Sequence, residues 1–369
     1  MKTGQKVITL IVGLLFLAAC KDEYFPTIKE LDKDILVVEG YIDGADETVI
    51  TLSMVTGMGQ EPSEEKYITG ASVQIEDDLG HLFALTYSSN GAYKGRYSFN
   101  PNLKYRVKFK TENQKVYASH FVAYKESPRI DAITYRIDAD GARFLVSTHD
   151  DSGQSKYYRW KYTETWQFHS YSPTDYQYNR QRKEVVDLTD TLYNCWQSNQ
   201  SKEIFLNNSA NLQKDVMKDI PLAFIATGSE KLSYIYSLKV KQFVMDSVGY
   251  AFFRLLKKNT EETGSIFDPQ PGNLKGNIVN LNDPLEMVVG YIGAGNSSEK
   301  REFFSIPWNY QPNCSEMILV PNIKDSLDYY FSEGEYWPVG KDVGGWISSL
   351  GRCVDCRTRG TNIKPDFWP

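Results

Sequence analysis

The feature that most restricts the fold of this chain is a succession of short segments in which apolar and polar residues alternate. Four such segments fall within residues 35–87, Asn90-Gly91 follows them as a strong hairpin signal, and three more come before residue 123. About seven short strands separated by turn residues are typical of a sandwich of two sheets. We therefore predict an immunoglobulin- or prealbumin-like β-sandwich over residues 35–126.

The alternation starts again beyond Ser127-Pro128-Arg129, which is typical of a domain boundary. Residues 133–137, 142–148 and 157–167 each read as strands, with turn-rich connections between them. The length of the chain also favours more than one domain. The sequence thus predicts a second, larger β-rich domain of fibronectin-like type over residues 128–369.

One segment of this second domain breaks the β pattern. Asp246-Ser247 can cap a helix, and the residues after it place Phe252 and Phe253 on a broad apolar face. Lys257-Lys258 fall in the last turn, where cations suit the helix dipole. We expect one inserted helix near residues 248–260.

The segments after this helix are less regular in sequence. Residues 285–292 and 300–306 read as a hairpin around the glycine-rich residues 293–296. Residues 307–369 are rich in Gly and Trp, contain three cysteines and show no clear periodicity. We expect an irregular C-terminal region that disulfides hold in place.

The cysteines support that expectation. Apart from Cys20 there are Cys195, Cys314, Cys353 and Cys356. An even number of cysteines in an exported chain favours disulfides, and four cysteines allow three pairings, among which the sequence does not choose. Cys353-x-x-Cys356 leaves two alternatives open, a redox pair or half of a zinc site that Cys195 and Cys314 would complete.

Export itself is predicted from the start of the chain. Residues 1–19 have a positively charged beginning and an apolar run that is too short to span a bilayer, as in a signal peptide. The run ends in Leu17-Ala18-Ala19-Cys20, which resembles the bacterial lipobox. The resemblance implies lipidation of Cys20, which would anchor the chain to the membrane. Residues 20–34 are polar and read as a tether.

The first residues of the tether carry a second signal. Lys21-Asp22-Glu23 resembles the surface-export signal of Bacteroidetes lipoproteins, which would place the protein on the cell surface. The alternative is a solvated linker that leaves the protein on the periplasmic face of the outer membrane. The expected location is therefore the outer membrane, with the body facing outward.

Several short phrases, spread over the whole mature chain, together resemble one family. The phrases are Val37-Val38-Glu39-Gly40, Gly70-Ala71-x-Val73, Gly91-x-Tyr93, Asn194-Cys195-Trp196, Tyr234-x-Tyr236-Ser237-Leu238-x-Val240, Phe267-Asp268-Pro269-Gln270-Pro271, Gly276-Asn277-Ile278, Gly290-Tyr291-x-Gly293-Ala294, Lys300-Arg301-x-Phe303, Cys353-x-Asp355-Cys356-Arg357 and Pro365-Asp366-Phe367-Trp368. They resemble the DUF4249 family of Bacteroidetes lipoproteins. The resemblance implies an accessory protein encoded near a TonB-dependent β-barrel transporter, and it brings no catalytic residues.

The sequence also lacks the common catalytic motifs. The four histidines form no H-E-x-x-H cluster, and the chain has neither a G-x-S-x-G elbow nor a P-loop. Loss of Lys2 and Lys6 with the signal peptide changes the formal net charge from −6 to −8, which disfavours nucleic acid as a partner. We expect a non-catalytic protein without a metal site or cofactor, working with the transporter in nutrient capture or uptake. The alternatives are a structural or adhesion module of the cell surface, and a hydrolase acting on glycans or peptides.

Overall fold

The computed structural model describes residues 35–55, 66–261, 274–306, 308, 310, 312 and 314–369. The predicted signal peptide, the tether, Cys20 and the export signal Lys21-Asp22-Glu23 lie outside these residues. The described chain is mainly β with few helices, as the sequence predicted.

The N-terminal strands, apart from one exposed strand of two residues, follow the predicted alternation, because each presents one apolar face to a common core. They are β1 (Ile35–Asp43), β2 (Thr48–Val55), β3 (Lys66–Tyr67), β4 (Ser72–Asp77), β5 (Leu82–Tyr87), β6 (Ala92–Gly95), β7 (Lys104–Lys110), β8 (Val116–Ser119) and β9 (Val122–Glu126).

The next part of the chain forms longer strands and one long helix. The elements are β10 (Ile130–Ile137), β11 (Gly141–His149), β12 (Tyr157–His169), β13 (Tyr176–Asn179), β14 (Glu184–Asp187), β15 (Asn194–Gln200), β16 (Phe205–Asn208), β17 (Val216–Ala226), β18 (Ile235–Met245), α1 (Ser247–Glu261), β19 (Ile278–Asn280), β20 (Val288–Val289), β21 (Gly293–Asn296) and β22 (Ser298–Ser305). The helix predicted near residues 248–260 is confirmed as α1.

Strands β10 to β12, β15 to β18 and β22 build a second sandwich, while among the described residues β13 and β14 pair only with each other. One sheet has the order β10-β11-β17, and the facing sheet has the order β15-β12-β18-β22 with β16 beside β12. Large side chains from both sheets, including Phe144, Trp160 and Tyr236, fill the space between them. Three strands facing four in this chain order is the fibronectin-type arrangement, which confirms the predicted type.

The connection between β18 and β22 leaves this sandwich and returns to the N-terminal strands. Strand β21 pairs in parallel with both β1 and β9, and β9 also pairs with β7. Strands β7-β4-β5-β6-β2-β1-β21-β9 therefore close into a ring among the described residues. We call this the N-terminal ring; its buried residues include Val38, Ile50, Tyr105 and Ile292.

This return was not visible in the sequence. The hairpin predicted around residues 293–296 is wrong, because β21 pairs with the N-terminal ring whereas β22 pairs with β18. The predicted division into residues 35–126 and 128–369 also did not anticipate that β19, β20 and β21 would pair with N-terminal strands. Alternation predicts that a segment is a strand, but a strand's distant partner depends on the tertiary fold.

The C-terminal region is more regular than its sequence indicated. Strands β23 (Met317–Pro321), β24 (Tyr336–Asp342) and β25 (Gly345–Leu350) form a small sheet, with helices α2 (Lys324–Phe331) and α3 (Gly351–Val354) beside it. Val320, Leu327 and Trp346 form its core, against which Tyr176 and Tyr178 of β13 pack.

Both predicted disulfides are formed: one holds this region to the second sandwich, and the other lies within the region. Cys195 of β15 is bonded to Cys356, and Cys314 is bonded to Cys353. The two cysteines of Cys353-x-x-Cys356 therefore have different partners, so neither the redox pair nor the zinc site is formed.

Candidate functional site

A cavity of about 320 Å³ lies where the N-terminal ring, the second sandwich and helix α1 meet. Its walls come from β1, from β12 and β18, from α1, and from the segment around Tyr291. This volume is at the lower end of the range of about 300–1,000 Å³ that is usual for small-molecule sites. We call it the junction cavity.

The sandwich wall of the cavity follows from strand alternation in β12. Tyr158 and Trp160 point into the sandwich core and are fully buried, so Arg159 and Lys161 point to the opposite face, which lines the cavity. The neighbouring strand β18 places Phe243 opposite Arg159 and Lys241 opposite Lys161. One face of two strands thus presents three cations and an aromatic ring.

The ring wall of the cavity is formed by β1, and Tyr41 joins it to the sandwich. The Tyr41 hydroxyl donates a hydrogen bond of 3.1 Å to the carbonyl oxygen of Val244. Its aromatic ring lies edge-on against Phe243, with 4.9 Å between centroids. Burial, with a smaller contribution from Asp43, raises the pKa of Tyr41, so this hydroxyl stays protonated and remains a donor.

The third wall is helix α1, which Asp246 fixes at its first turn. One carboxylate oxygen of Asp246 accepts hydrogen bonds from the Gly249 amide at 2.7 Å and from the Tyr291 hydroxyl at 2.6 Å. The first bond is the predicted N-cap. Phe252 and Phe253 are buried beneath the helix, and the Arg159 guanidinium lies 4.0 Å from the centroid of the Phe253 ring.

Lys241 ties the ring to the sandwich at one side of the cavity. Its Nζ lies 2.9 Å from Asp43, 2.8 Å from Asp46 and 3.5 Å from Glu299. Burial opposes the charge of Lys241, but the hydrogen bonds to Asp46 and Asp43 outweigh it and raise its pKa. The bond from Lys241 correspondingly lowers the pKa of Asp46 to about 2.

The other two cations of the cavity have no such partners. Within the part of the chain that the structure describes, neither Arg159 nor Lys161 forms an ion pair or a side-chain hydrogen bond, and the Arg159 Nε is buried. Burial lowers the pKa of Arg159 to about 10, against the opposing effect of Glu39. Desolvation by the surrounding cavity walls and the neighbouring Arg159 lower the pKa of Lys161 to about 8, although part of this side chain is exposed. The lowered pKa values show that both charged forms are less favourable here than in water.

A wider depression of about 820 Å³ lies elsewhere on the N-terminal ring and includes Met54, Leu285 and Met287. It begins at Ile35 and continues close to Val55, and the chain beyond each of these residues is outside the described ranges. The junction cavity, whose walls combine β1, β2, β12, β18, β20 and α1, is therefore the better candidate site.

A sequence profile described as a domain of unknown function, DUF4249, matches residues 21–301. The chain belongs to the DUF4249 family. The match covers every residue that lines the junction cavity. No curated protein matches the chain.

Two solved structures show only a low overall similarity to this DUF4249 protein. A segment of two fibronectin type III domains from chicken tenascin is 11% identical, with 58% of this chain and 93% of that chain covered and a TM-score of 0.17. The CBD12 fragment of CALX1.2 is 11% identical, with 73% and 100% covered and a TM-score of 0.14. These TM-scores are too low to support a shared fold, so the fibronectin-type strand order is based on the strand pairing alone.

The residues of the junction cavity were not predicted as a site. The structure brings together two phrases of the DUF4249 resemblance, Val37-Val38-Glu39-Gly40 and Gly290-Tyr291, on adjacent walls of the cavity. Arg159 and Lys161 fall in a segment that was predicted only as a strand. A basic outward face between two fully buried aromatic positions was the available signal, but many solvated strands share it.

Proposed function

We propose that this DUF4249 protein is a non-catalytic, lipid-anchored binding protein of the outer membrane, which holds a small ligand in the junction cavity and works with a TonB-dependent transporter in nutrient uptake. The observation that carries the binding function is the cavity itself. It is open, has largely aromatic and aliphatic walls, and contains a few polar groups aimed inward, which is the usual composition of a small-molecule site.

The anchor is supported by the sequence. A lipidated Cys20 would carry more than one acyl chain, and two membrane-binding groups give a lasting attachment where one does not. Across the described residues, no helix combines the length and the apolar character that crossing a bilayer requires. The tether of residues 20–34 would then hold the folded body beside the membrane, and Lys21-Asp22-Glu23 favours the outer face.

The transporter is supported by the family resemblance, since DUF4249 proteins resemble accessory components of TonB-dependent transporters. A binding protein tethered next to such a transporter would raise the local concentration of its ligand there.

The test uses the full chain, tagged at its C-terminus and extracted from the outer membrane of its native host in a mild detergent. We expect incorporation of labelled palmitate and co-purification of a TonB-dependent transporter, identified by mass spectrometry. The matched control is Cys20→Ala, which should lose both the label and the membrane fraction. A palmitate-labelled protein that elutes as a clean monomer would contradict the transporter part of the proposal.

A further inference from the structure

We infer that the junction cavity binds an organic monocarboxylate, with the carboxylate between Arg159 and Lys161 and the apolar part of the ligand against the α1 wall. This inference rests on the proposed binding function and adds the chemical class of the ligand to it.

The charged groups of the junction cavity do not balance one another. Lys241 is neutralised by Asp43, and the carboxylates around it have cations of their own: Asp46 pairs with Arg96 and Glu299 pairs with Lys239. At the rim, Glu47 lies 3.7 Å from Lys94. Among the described residues, the charged cavity groups that remain without a partner are Arg159, Lys161 and Glu39. They leave a surplus of one positive charge, which one carboxylate would neutralise.

The two unpaired cations lie close together on β12. Lys161 lies directly opposite Lys241 in the β12–β18 pair, and like charges at such positions destabilise a sheet. Arg159 is two residues from Lys161 and therefore on the same face of β12. An arginine fork matches the two oxygens of a carboxylate, and a lysine can add a third hydrogen bond. An anion at this point would offset the repulsion between the neighbouring cations.

An apolar wall lies beside the cations and would contact the rest of the ligand. The Arg159 guanidinium is held over the Phe253 ring, which limits its movement; its Nε is buried, and its two terminal nitrogens remain available to an anion. Phe252, Phe253 and Leu256 continue this apolar wall away from the cations. A cavity of about 320 Å³ with charge at one side and hydrocarbon at the other fits a small amphiphilic acid.

The test measures binding of 4-phenylbutyrate to the purified full chain by isothermal titration calorimetry at pH 7. Two further probes separate its parts: 4-phenylbutan-1-ol lacks the charge, and acetate lacks the ring. We expect 4-phenylbutyrate to bind at least ten-fold more tightly than either. Arg159→Gln and Lys161→Met should each weaken its binding at least ten-fold, and Glu39→Gln should strengthen it.

The folding controls distinguish a binding role from a structural one. Removal of a cation that has no partner should leave the melting temperature unchanged or raise it, so Arg159→Gln and Lys161→Met should lose affinity without losing stability. The matched control is Arg182→Gln, which changes an exposed arginine at the β13–β14 turn and should alter neither property.

The pH profile gives an independent readout. The groups that face Lys161 are Glu39 and Tyr41 from β1, Arg159 from β12, Lys241 from β18 and Tyr291. Because the pKa of Lys161 is about 8, affinity should be nearly constant from pH 6 to about 7 and should fall as Lys161 loses its proton above that range. In Lys161→Met this fall should disappear.

Three results would overturn the inference: no binding of 4-phenylbutyrate at millimolar concentration, equal binding of the acid and the alcohol, or an Arg159→Gln variant that binds as the parent does. Tighter binding of the alcohol would reject the carboxylate while leaving the proposed binding function intact. Loss of transporter co-purification would count against the proposed function and would leave this binding result unaffected.

Discussion

Replacing Lys241 by methionine tests how the N-terminal ring is held to the second sandwich. The change removes the cation that contacts Asp43 at 2.9 Å and Asp46 at 2.8 Å, while the methionine keeps the apolar part of the lysine side chain. The Asp43 side chain is only 3% exposed, so its charge would be left in the interior with hydrogen bonds from Ser297 as its main support.

The magnitude follows from this burial. Breaking a buried ion pair by removing one partner costs about 3–5 kcal/mol of unfolding free energy. Because the Lys241 side chain is 21% exposed, we expect the lower end of that range, about 3 kcal/mol. The double variant Lys241→Met/Asp43→Asn should recover part of this loss, since it removes the stranded charge as well.

The assay is denaturant unfolding followed by two probes. The ring strands contain no tryptophan; the seven tryptophans are Trp160, Trp166, Trp196, Trp308, Trp337, Trp346 and Trp368. Tryptophan fluorescence therefore reports the sandwich and the C-terminal region, whereas far-ultraviolet circular dichroism also reports the N-terminal ring. In Lys241→Met we expect the dichroism transition to move to lower denaturant concentration than the fluorescence transition.

The matched control is Lys239→Met, which lies two residues away on the same face of β18. Lys239 pairs with Glu299 at 2.6 Å, but both side chains are about one third exposed, and such a surface pair is worth about 1 kcal/mol at most. A loss in Lys241→Met no larger than that in Lys239→Met would refute the reasoning.

Three further predictions concern stability. Replacing both cysteines of Cys195–Cys356, which are 161 residues apart, by alanine should lower the free energy of unfolding by about 5 kcal/mol. The same change in Cys314–Cys353, which are 39 residues apart, should lower it by about 4 kcal/mol, because a shorter closed loop restricts the unfolded chain less. Calorimetry that gives the opposite order would contradict this. Gly290→Ala should cost about 1–3 kcal/mol or prevent folding, since φ is +151° and the new Cβ would lie 2.1 Å from a β1 carbonyl oxygen, whereas Gly340→Ala, with 3.9 Å of clearance, should be tolerated in thermal melts. The pKa of Asp46 is depressed to about 2, so its stabilising contribution should be complete above about pH 4 and should be lost towards pH 2; acid titration of Asp46→Asn should lack this component.

Local features of the fold could be predicted because neighbouring residues determine them. The Asp246 cap and the apolar face of α1 depend on spacings of three and four residues, so the helix was placed within one residue at each end. Strand alternation likewise identified the N-terminal strands and the fibronectin-type body. The disulfide content could be predicted from the cysteine number, but the pairing could not, since all three pairings suit the same sequence.

The junction cavity depends on contacts between distant segments, which no local sequence pattern encodes. Strand β21 is short and rich in glycine, and its parallel pairing with β1 and β9 brings Tyr291 to the cavity. Arg159 and Lys161 are ordinary outward residues of β12 until β1 and α1 cover that face.

The sequence by itself thus determined the strands, the capped helix and the presence of disulfides, because periodicity, spacing and residue type act over a few neighbours. Tertiary structure alone decided which strands pair, which cysteines join and which cations remain without a partner. These depend on contacts between residues far apart in the chain, such as Asp43 and Lys241, whose energies appear only when the ring and the sandwich pack together.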